Sequence, residues 1–363
     1  MEPVMYEFIN LFDSDPFSLV TMTTAINKRP YVPMFLESLG IFTPTPIRTE
    51  DAAVVIDDSG AITIIPTTVR GAPPIEQVTK PQSIRRFTTP RVAIGDTIRS
   101  SELQNIIARS ALAGGSAQMM ISDLQSEMAY RLDGPGGGLR GKQNATKERM
   151  RLGAISGLVL DADDSVLYDW PTLFGVSLPA EIDFNLDASS PVPGALTTLL
   201  RQTNRLILRA AKAGNLSNVS VLALCGDAFF DAFVTHPDVI TKYQFFTNNG
   251  SMTSAAGNMP NVPAFSLFNF AEIDWVNYRG TDDNTTIKLD TNKCKFIPRN
   301  IPGLFQEVLS PGEDFQSLNE YGLPLYTMVI PDRDRNQYVR LETYSYPMYV
   351  ATRPEVLFSG KLT

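Results

Sequence analysis

The sequence is poor in the side chains that do chemistry: it holds one histidine, His236, and two cysteines, Cys225 and Cys294. Any Ser–His–Asp or Cys–His arrangement would have to run through His236, and no G-x-S-x-G elbow accompanies it. One histidine and two distant cysteines do not make a zinc ligand set. Two cysteines are also too few for a disulfide framework, so they read as reduced thiols used as small hydrophobes. Followed by Pro237, His236 reads as a helix C-terminal cap. The expectation is a chain with no catalytic, cofactor or metal site.

Other absences narrow the class further. No run of about 18 apolar residues occurs, which excludes a spanning helix. The opening MEPVMYEFINLF lacks a cationic segment and carries acids, so it does not read as a signal peptide. The expectation is a protein made soluble in the cytosol. No long Lys/Arg run appears and the net charge is −8, so DNA would meet a repelling or indifferent surface. No fixed-period repeat or sustained heptad is present. With 43% hydrophobic and 19% charged residues, the chain can bury a real core.

Residues 1–48 contain Pro16, Pro30, Pro33, Pro44 and Pro46, which leave room for an extended arm with short helical turns. The β-branched runs 53–57 and 61–65 flank Asp58-Ser59-Gly60, the pattern of a hairpin with a three-residue loop. Residues 101–132 read as helix, split at Gly114-Gly115, and 133–138 as a break. Asn144 can cap a helix to about Leu160, on which Gly153 and Gly157 form a small stripe suited to close backbone approach. Beyond a hinge at 189–194 come a helix 195–212, a buried strand 219–225 and a helix from Asp227, the makings of an α/β lobe. Strands are expected near 264–279 and 286–297, and from Tyr326 onward paired strands, ending with 347–350 and 356–358, that close the first lobe.

Three motifs suggest more than they support. Gly136 to Lys142 meets part of a phosphate-loop pattern, but a polar helix precedes it and Gln143 follows the lysine, so it reads as a flexible loop. Asp161 to Ser165 has the acid density of a calcium loop but Val166 where glycine is needed and Thr172 where the bidentate glutamate belongs, so it reads as a solvated turn. Arg201, Arg205 and Arg209 share one helix face with Lys212 nearby; this is either a solvated face or a basic strip that pairs with an acidic neighbour in an assembly.

The order of the pieces resembles the E-type (lambda-like) major capsid protein family, whose members adopt the Hong Kong 97 phage fold. Leu19 to Asn27 with Leu39-Gly40-Ile41-Phe42 is similar to the family's N-terminal segment, and Ile65-Pro66 with Arg70-Gly71-Ala72-Pro73 to its hairpin end. Glu148 to Gly157, Leu160 to Asp163 and Phe174-Gly175 resemble its spine helix and following strand. Leu224-Cys225-Gly226, Phe229-Phe230 and His236-Pro237 resemble the next lobe, and Phe296-Ile297-Pro298, Ser345 to Met348 and Arg353-Pro354-Glu355 the closing strands.

The resemblance implies an α+β, Hong Kong 97-type fold: an N-terminal arm (1–48), an extended β-hairpin loop (49–90), a peripheral domain (91–189) with its spine helix at about 144–160, an axial α/β domain (190–295) and return strands (296–363). It implies a major capsid protein that is no enzyme, self-assembling as hexamers and pentamers of an icosahedral shell around double-stranded DNA without sequence-specific binding. The expected partners are a separate scaffolding protein, a portal and, as in many members, a decoration protein; no membrane is involved. The expected location is the virion, after synthesis in the host bacterial cytoplasm. Candidate subunit contacts are Asp58, Gly60, Arg70, Gly71, Arg201, Arg205 and Arg209. Alternatives are a tail or head-completion component, or a cytosolic α/β enzyme.

Overall fold

A computed structural model describes residues 35–56, 83–102, 104, 117–133, 138–212, 219–241, 267–278, 287–335 and 337–363. A short helix α1 (Phe35–Ser38) leads into β1 (Thr43–Pro46) and β2 (Asp51–Ile56), whose antiparallel partner is β3 (Ser83–Thr88). Strand β4 (Val92–Arg99) follows, then α2 (Ala117–Asp133) and the long α3 (Gly138–Ser156). Gly157, at φ +87°, ends α3 and turns the chain into the β5 (Leu158–Leu160) and β6 (Val166–Asp169) pair. Helix α4 (Trp170–Phe174) is capped by Asp169, which accepts from the Thr172 N–H at 3.2 Å, and ends at left-handed Gly175.

The second half begins with β7 (Ile182–Asp183), α5 (Ala195–Ala211), β8 (Ser220–Cys225) and α6 (Asp227–Thr235). Then come β9 (Leu267–Phe270), β10 (Ile273–Asn277), β11 (Lys293–Arg299) and β12 (Phe305–Leu309). The last strands are β13 (Tyr326–Pro331), β14 (Tyr338–Ser345), β15 (Pro347–Ala351) and β16 (Ser359–Lys361).

The largest sheet has the order β7-β16-β11-β8-β10-β9. Its centre is β8, parallel to β10 through the α6 crossover and antiparallel to β11. Buried on both faces, β8 is the near-continuous apolar run that such a position requires. Phe229 and Phe233 of α6 lie against Trp275 of the neighbouring β10; the Phe233 and Trp275 rings stack at 4.0 Å. Two three-stranded sheets, β1-β12-β15 and β13-β14-β4, occupy the other half. One apolar core runs from Leu36 and Phe42 through α3 and Trp170 into the large sheet. A smaller one holds Ile98, Met128, Leu132, Leu139, Leu325 and Leu341 between α2 and the β13-β14-β4 sheet.

The α/β lobe has the expected order: helix, buried strand, helix, then strands near the expected positions. Elsewhere the structure corrects the sequence reading. Helix α3 begins at Gly138, not near Asn144, and ends at Ser156, short of Leu160. Gly138 sits at φ +51° where a Cβ would lie 2.5 Å from the Leu132 carbonyl oxygen, so this glycine starts a helix hard against the end of α2 instead of prolonging a loop. Gly141 and Lys142 are therefore helical. Gly157 lies outside the helix, and only Gly153 meets close backbone, that of β5.

The strand read at 53–57 is present as β2, paired antiparallel with β3; the expected partner, 61–65, lies outside the described residues. Strand β3 carries Phe87, whose ring meets Trp170 edge-on at 5.4 Å and anchors the ribbon base. Residues 354–356 form a 3-10 turn started by Pro354, and the final strand, β16, joins the large sheet between β7 and β11 rather than closing the first lobe. Gly360 permits this, since a Cβ there would stand 2.4 Å from the Phe184 ring. The large sheet thus takes strands from before 190 and after 295.

Candidate assembly surfaces and the buried charge cluster

Among the described residues, no group of three or more His, Cys, Asp and Glu side chains could hold a metal ion. His236 stands at the C-terminal end of α6, as its sequence context suggested, and its Nδ1 also accepts the Asp238 N–H at 3.2 Å at the start of the next helical turn. Asp161 to Ser165 is the turn joining β5 to β6, with Asp163 accepting from Ser165 and Arg149 paired to Asp164. Cys225 and Cys294 are free, buried and directly opposite one another across β8 and β11. Burial pushes the Cys225 thiol well up, which keeps it protonated and inert.

The densest polar arrangement lies inside the molecule. On α3, Arg140, Gln143, Asn144, Lys147, Glu148 and Arg151 recur at helical spacing and are all buried. Arg151, 2% exposed, reaches Glu37 of α1 at 3.0 Å and Glu307 of β12 at 3.4 Å, and lies over the Tyr349 ring of β15. Glu148 accepts the Leu36 N–H at 2.9 Å and the Tyr278 hydroxyl at 3.3 Å on the same oxygen, Oε1. Its Oε2 has no hydrogen-bond partner and stands 3.8 Å from Arg151. Burial raises the Glu148 carboxyl to about 7, against the pull of the Leu36 amide, Arg151 and Tyr278. Lys147 donates to the Pro324 carbonyl at 2.5 Å; desolvation lowers it to about 8 despite Glu307 and Glu37. One helix thus ties together α1, the β1-β12-β15 sheet, the 324 turn and the end of β10.

Outward-facing features differ in kind. Between β12 and β13 a loop displays Phe315, 93% exposed, Leu318, 69%, and Tyr321, 53%. It is held rigidly: Asp314 accepts from both the backbone and the hydroxyl of Ser317, the Gly322 N–H donates to Ile47, and Leu323 donates to the Tyr326 hydroxyl at 2.8 Å. Arg48 lies over the Tyr321 ring and Arg91 pairs with Glu313 at 3.3 Å. An ordered loop that presents large apolar groups to water has the character of a contact surface. On β3, Ile84, Arg85 and Arg86 are exposed together. Arg201, Arg205 and Arg209 are exposed on one face of α5, with no ion pair to a described residue. Asp58, Gly60, Arg70 and Gly71 lie outside the described residues.

Sequence reasoning missed the Phe315 loop and the charge cluster. The loop carried a usable signal, with Phe315, Leu318 and Tyr321 at three-residue spacing after the Pro311-Gly312 turn. The cluster carried none, because a polar stripe at helical spacing reads as a solvated face.

The described residues thus combine exposed apolar and basic surfaces with a buried charge cluster. The chain belongs to the family described as phage major capsid protein E, whose profile matches residues 18–362. The resemblance read from the sequence is borne out at that level. Among curated proteins, the major capsid protein of Pseudomonas phage KPP10 is 22% identical over 240 residues, 61% of this chain; the match spans 65% of that protein's length. Solved structures overlap at lower identity. A putative capsid protein of a prophage from E. coli CFT073 has 11% identity, 78% coverage of this chain, 80% of its own and a TM-score of 0.43. A chain from Gordonia phage Cozz has 11% identity, 95% coverage of each and a TM-score of 0.41.

Proposed function

We propose that this chain is the shell subunit of a phage head, assembling as hexamers and pentamers into an icosahedral container for double-stranded DNA. The observation that carries the reading is the family match over residues 18–362. The rigid, apolar loop at Phe315 supports it, since a subunit with many neighbours needs preformed contact surfaces. The net charge of −8 suits a container that encloses DNA without gripping it.

In the Hong Kong 97-type arrangement, residues 1–48 are the arm and 49–90 the loop that crosses a neighbouring subunit. Residues 91–189 and 296–363 form the peripheral domain, and about 190–295 the axial domain around capsomer centres. The exposed Ile84, Arg85 and Arg86 near the ribbon base are consistent with a loop that lies on another subunit. Contacts are assigned to Asp58, Gly60, Arg70 and Gly71 on that loop, to Arg201, Arg205 and Arg209 on α5, and to Phe315. A separate scaffolding protein, a portal and a decoration protein are the further partners; the subunit has no catalytic role and passes from host cytoplasm to virion.

Size-exclusion chromatography with negative-stain microscopy of the expressed protein, alone and with its scaffold, tests the reading. Capsomers or closed shells are the expected result. Rings or tubes of a single symmetry would indicate a tail component. A monomer whose melting point rises with a small ligand would indicate an enzyme.

A further inference from the structure

We propose that Glu148 is a proton-operated latch at the junction of α3, the N-terminal α1 segment and the large sheet, holding them together while protonated and loosening them when ionised. The inference rests on the junction's geometry and not on the shell reading.

The Glu148 side chain is 3% exposed and touches all three parts: it belongs to α3, accepts the Leu36 N–H of α1, and accepts the hydroxyl of Tyr278, which directly follows β10. A neutral carboxyl keeps both bonds, because its carbonyl oxygen accepts them. The charged groups acting on it are Arg151 from α3 and Glu37 from α1, with the Tyr278 hydroxyl beside it; Glu307 of β12 shares Arg151, while Lys147 turns away to the Pro324 carbonyl. Three carboxylates, Glu37, Glu148 and Glu307, therefore share Arg151. Arg151 stands nearer to Glu37 and Glu307 than to Glu148, and Glu307 also accepts the Tyr349 hydroxyl at 2.9 Å. Ionised Glu148 is the surplus negative charge, and its Oε2 has no donor.

A buried charge whose only ion-pair partner is a distant, shared cation is relieved by opening to water. Burial holds the carboxyl at about 7, so the closed junction exchanges this proton around neutral pH, while an opened junction releases it near the ordinary carboxylate value. Linkage then makes the opening equilibrium rise with pH up to about 7 and level off above it.

Hydrogen exchange of the full-length, unassembled protein tests this at pH 6 and pH 7.5, with further points up to about pH 9 to locate the midpoint, with intrinsic rates corrected and under conditions where exchange reports the opening equilibrium. Peptides containing Leu36 and Tyr278 should open on the order of tenfold more at the higher pH. Glu148→Gln should abolish that rise and stay at the low-pH level. Tyr278→Phe removes one donor to the carboxylate, so the midpoint should move to higher pH; this variant decides the matter if Glu148→Gln does not fold. A flat wild-type profile, an unchanged rise in Glu148→Gln, or an unmoved midpoint in Tyr278→Phe would overturn the latch.

Discussion

Gln143 in the middle of α3 donates from Nε2 to the Thr343 carbonyl of β14 at 2.9 Å, and to the Val92 carbonyl of β4 at 3.1 Å. One buried amide thereby joins the spine-like helix to two neighbouring strands that meet through residues far apart in the chain. Gln143→Leu keeps the volume but leaves both carbonyls with one donor fewer. Unfolding in urea should show a loss of about 2 kcal/mol. An unchanged midpoint would mean that the strands hold their register without this bond.

Gly153→Ala pits two effects against one another. Alanine favours a helix interior over glycine by about 1 kcal/mol. A Cβ at 153 would, however, stand 2.8 Å from the Leu158 carbonyl oxygen and 3.0 Å from the Val159 Cα, both backbone atoms unable to give way cheaply. Overpacking of this kind costs roughly 1–3 kcal/mol, so the variant should melt lower than wild type. A higher melting temperature would show that β5 can retreat from α3.

Lys147 makes a separate pH prediction. Its folded-state value, about 8, lies below the ordinary lysine value, so between about pH 8 and 10.5 the unfolded chain holds a proton that the folded chain has lost. Stability relative to Lys147→Met should therefore rise with pH through that window, by up to about 3 kcal/mol, and be flat just below it. Urea unfolding of both proteins in parallel cancels the other titrating groups. A difference that falls or stays level with rising pH would contradict the burial of a desolvated amine.

The Phe315 loop separates stability from assembly. Phe315→Ser combined with Leu318→Ser removes apolar groups already in water, so monomer stability should stay within about 0.5 kcal/mol of wild type. Yield of shells or capsomers in sedimentation should fall severalfold. Full assembly by the double variant would remove this loop from the set of contacts.

Arg201, Arg205 and Arg209 are best tested together. Replacing all three by Gln relieves like-charge repulsion along α5 and should leave the helix at least as stable. If the face is a contact, assembly should weaken and lose much of its sensitivity to salt. Equal assembly of variant and wild type at low and high salt would return the strip to a solvated face.

Much of the α/β lobe was legible because its signals are local. The apolar run 220–225, the helix start after Gly226 and the aromatic residues of α6 each depend on near neighbours. The ends of α3 were not, because Gly138 and Gly157 act through left-handed backbone and contacts with α2 and the segment beyond β6. The pairing of β2 with β3 was not read for a related reason: a local rule looks to the nearest suitable neighbour, whereas Phe87 docks on Trp170 and brings β3 back from farther along the chain.

The sequence by itself determined the family, the mixture of helix and strand, the scarcity of catalytic residues and the buried central strand. These follow from composition, from apolar runs and from ordered motifs, which need no knowledge of distant contacts. Tertiary structure alone decided which way the α3 polar stripe faces. Arg140, Gln143, Lys147, Glu148 and Arg151 have the spacing of a solvated face, yet Glu37, Glu307, Thr343, Pro324 and Tyr278 arrive from other parts of the chain to meet that stripe. A charged group can be buried where partners converge on it, and only the folded chain brings those partners together.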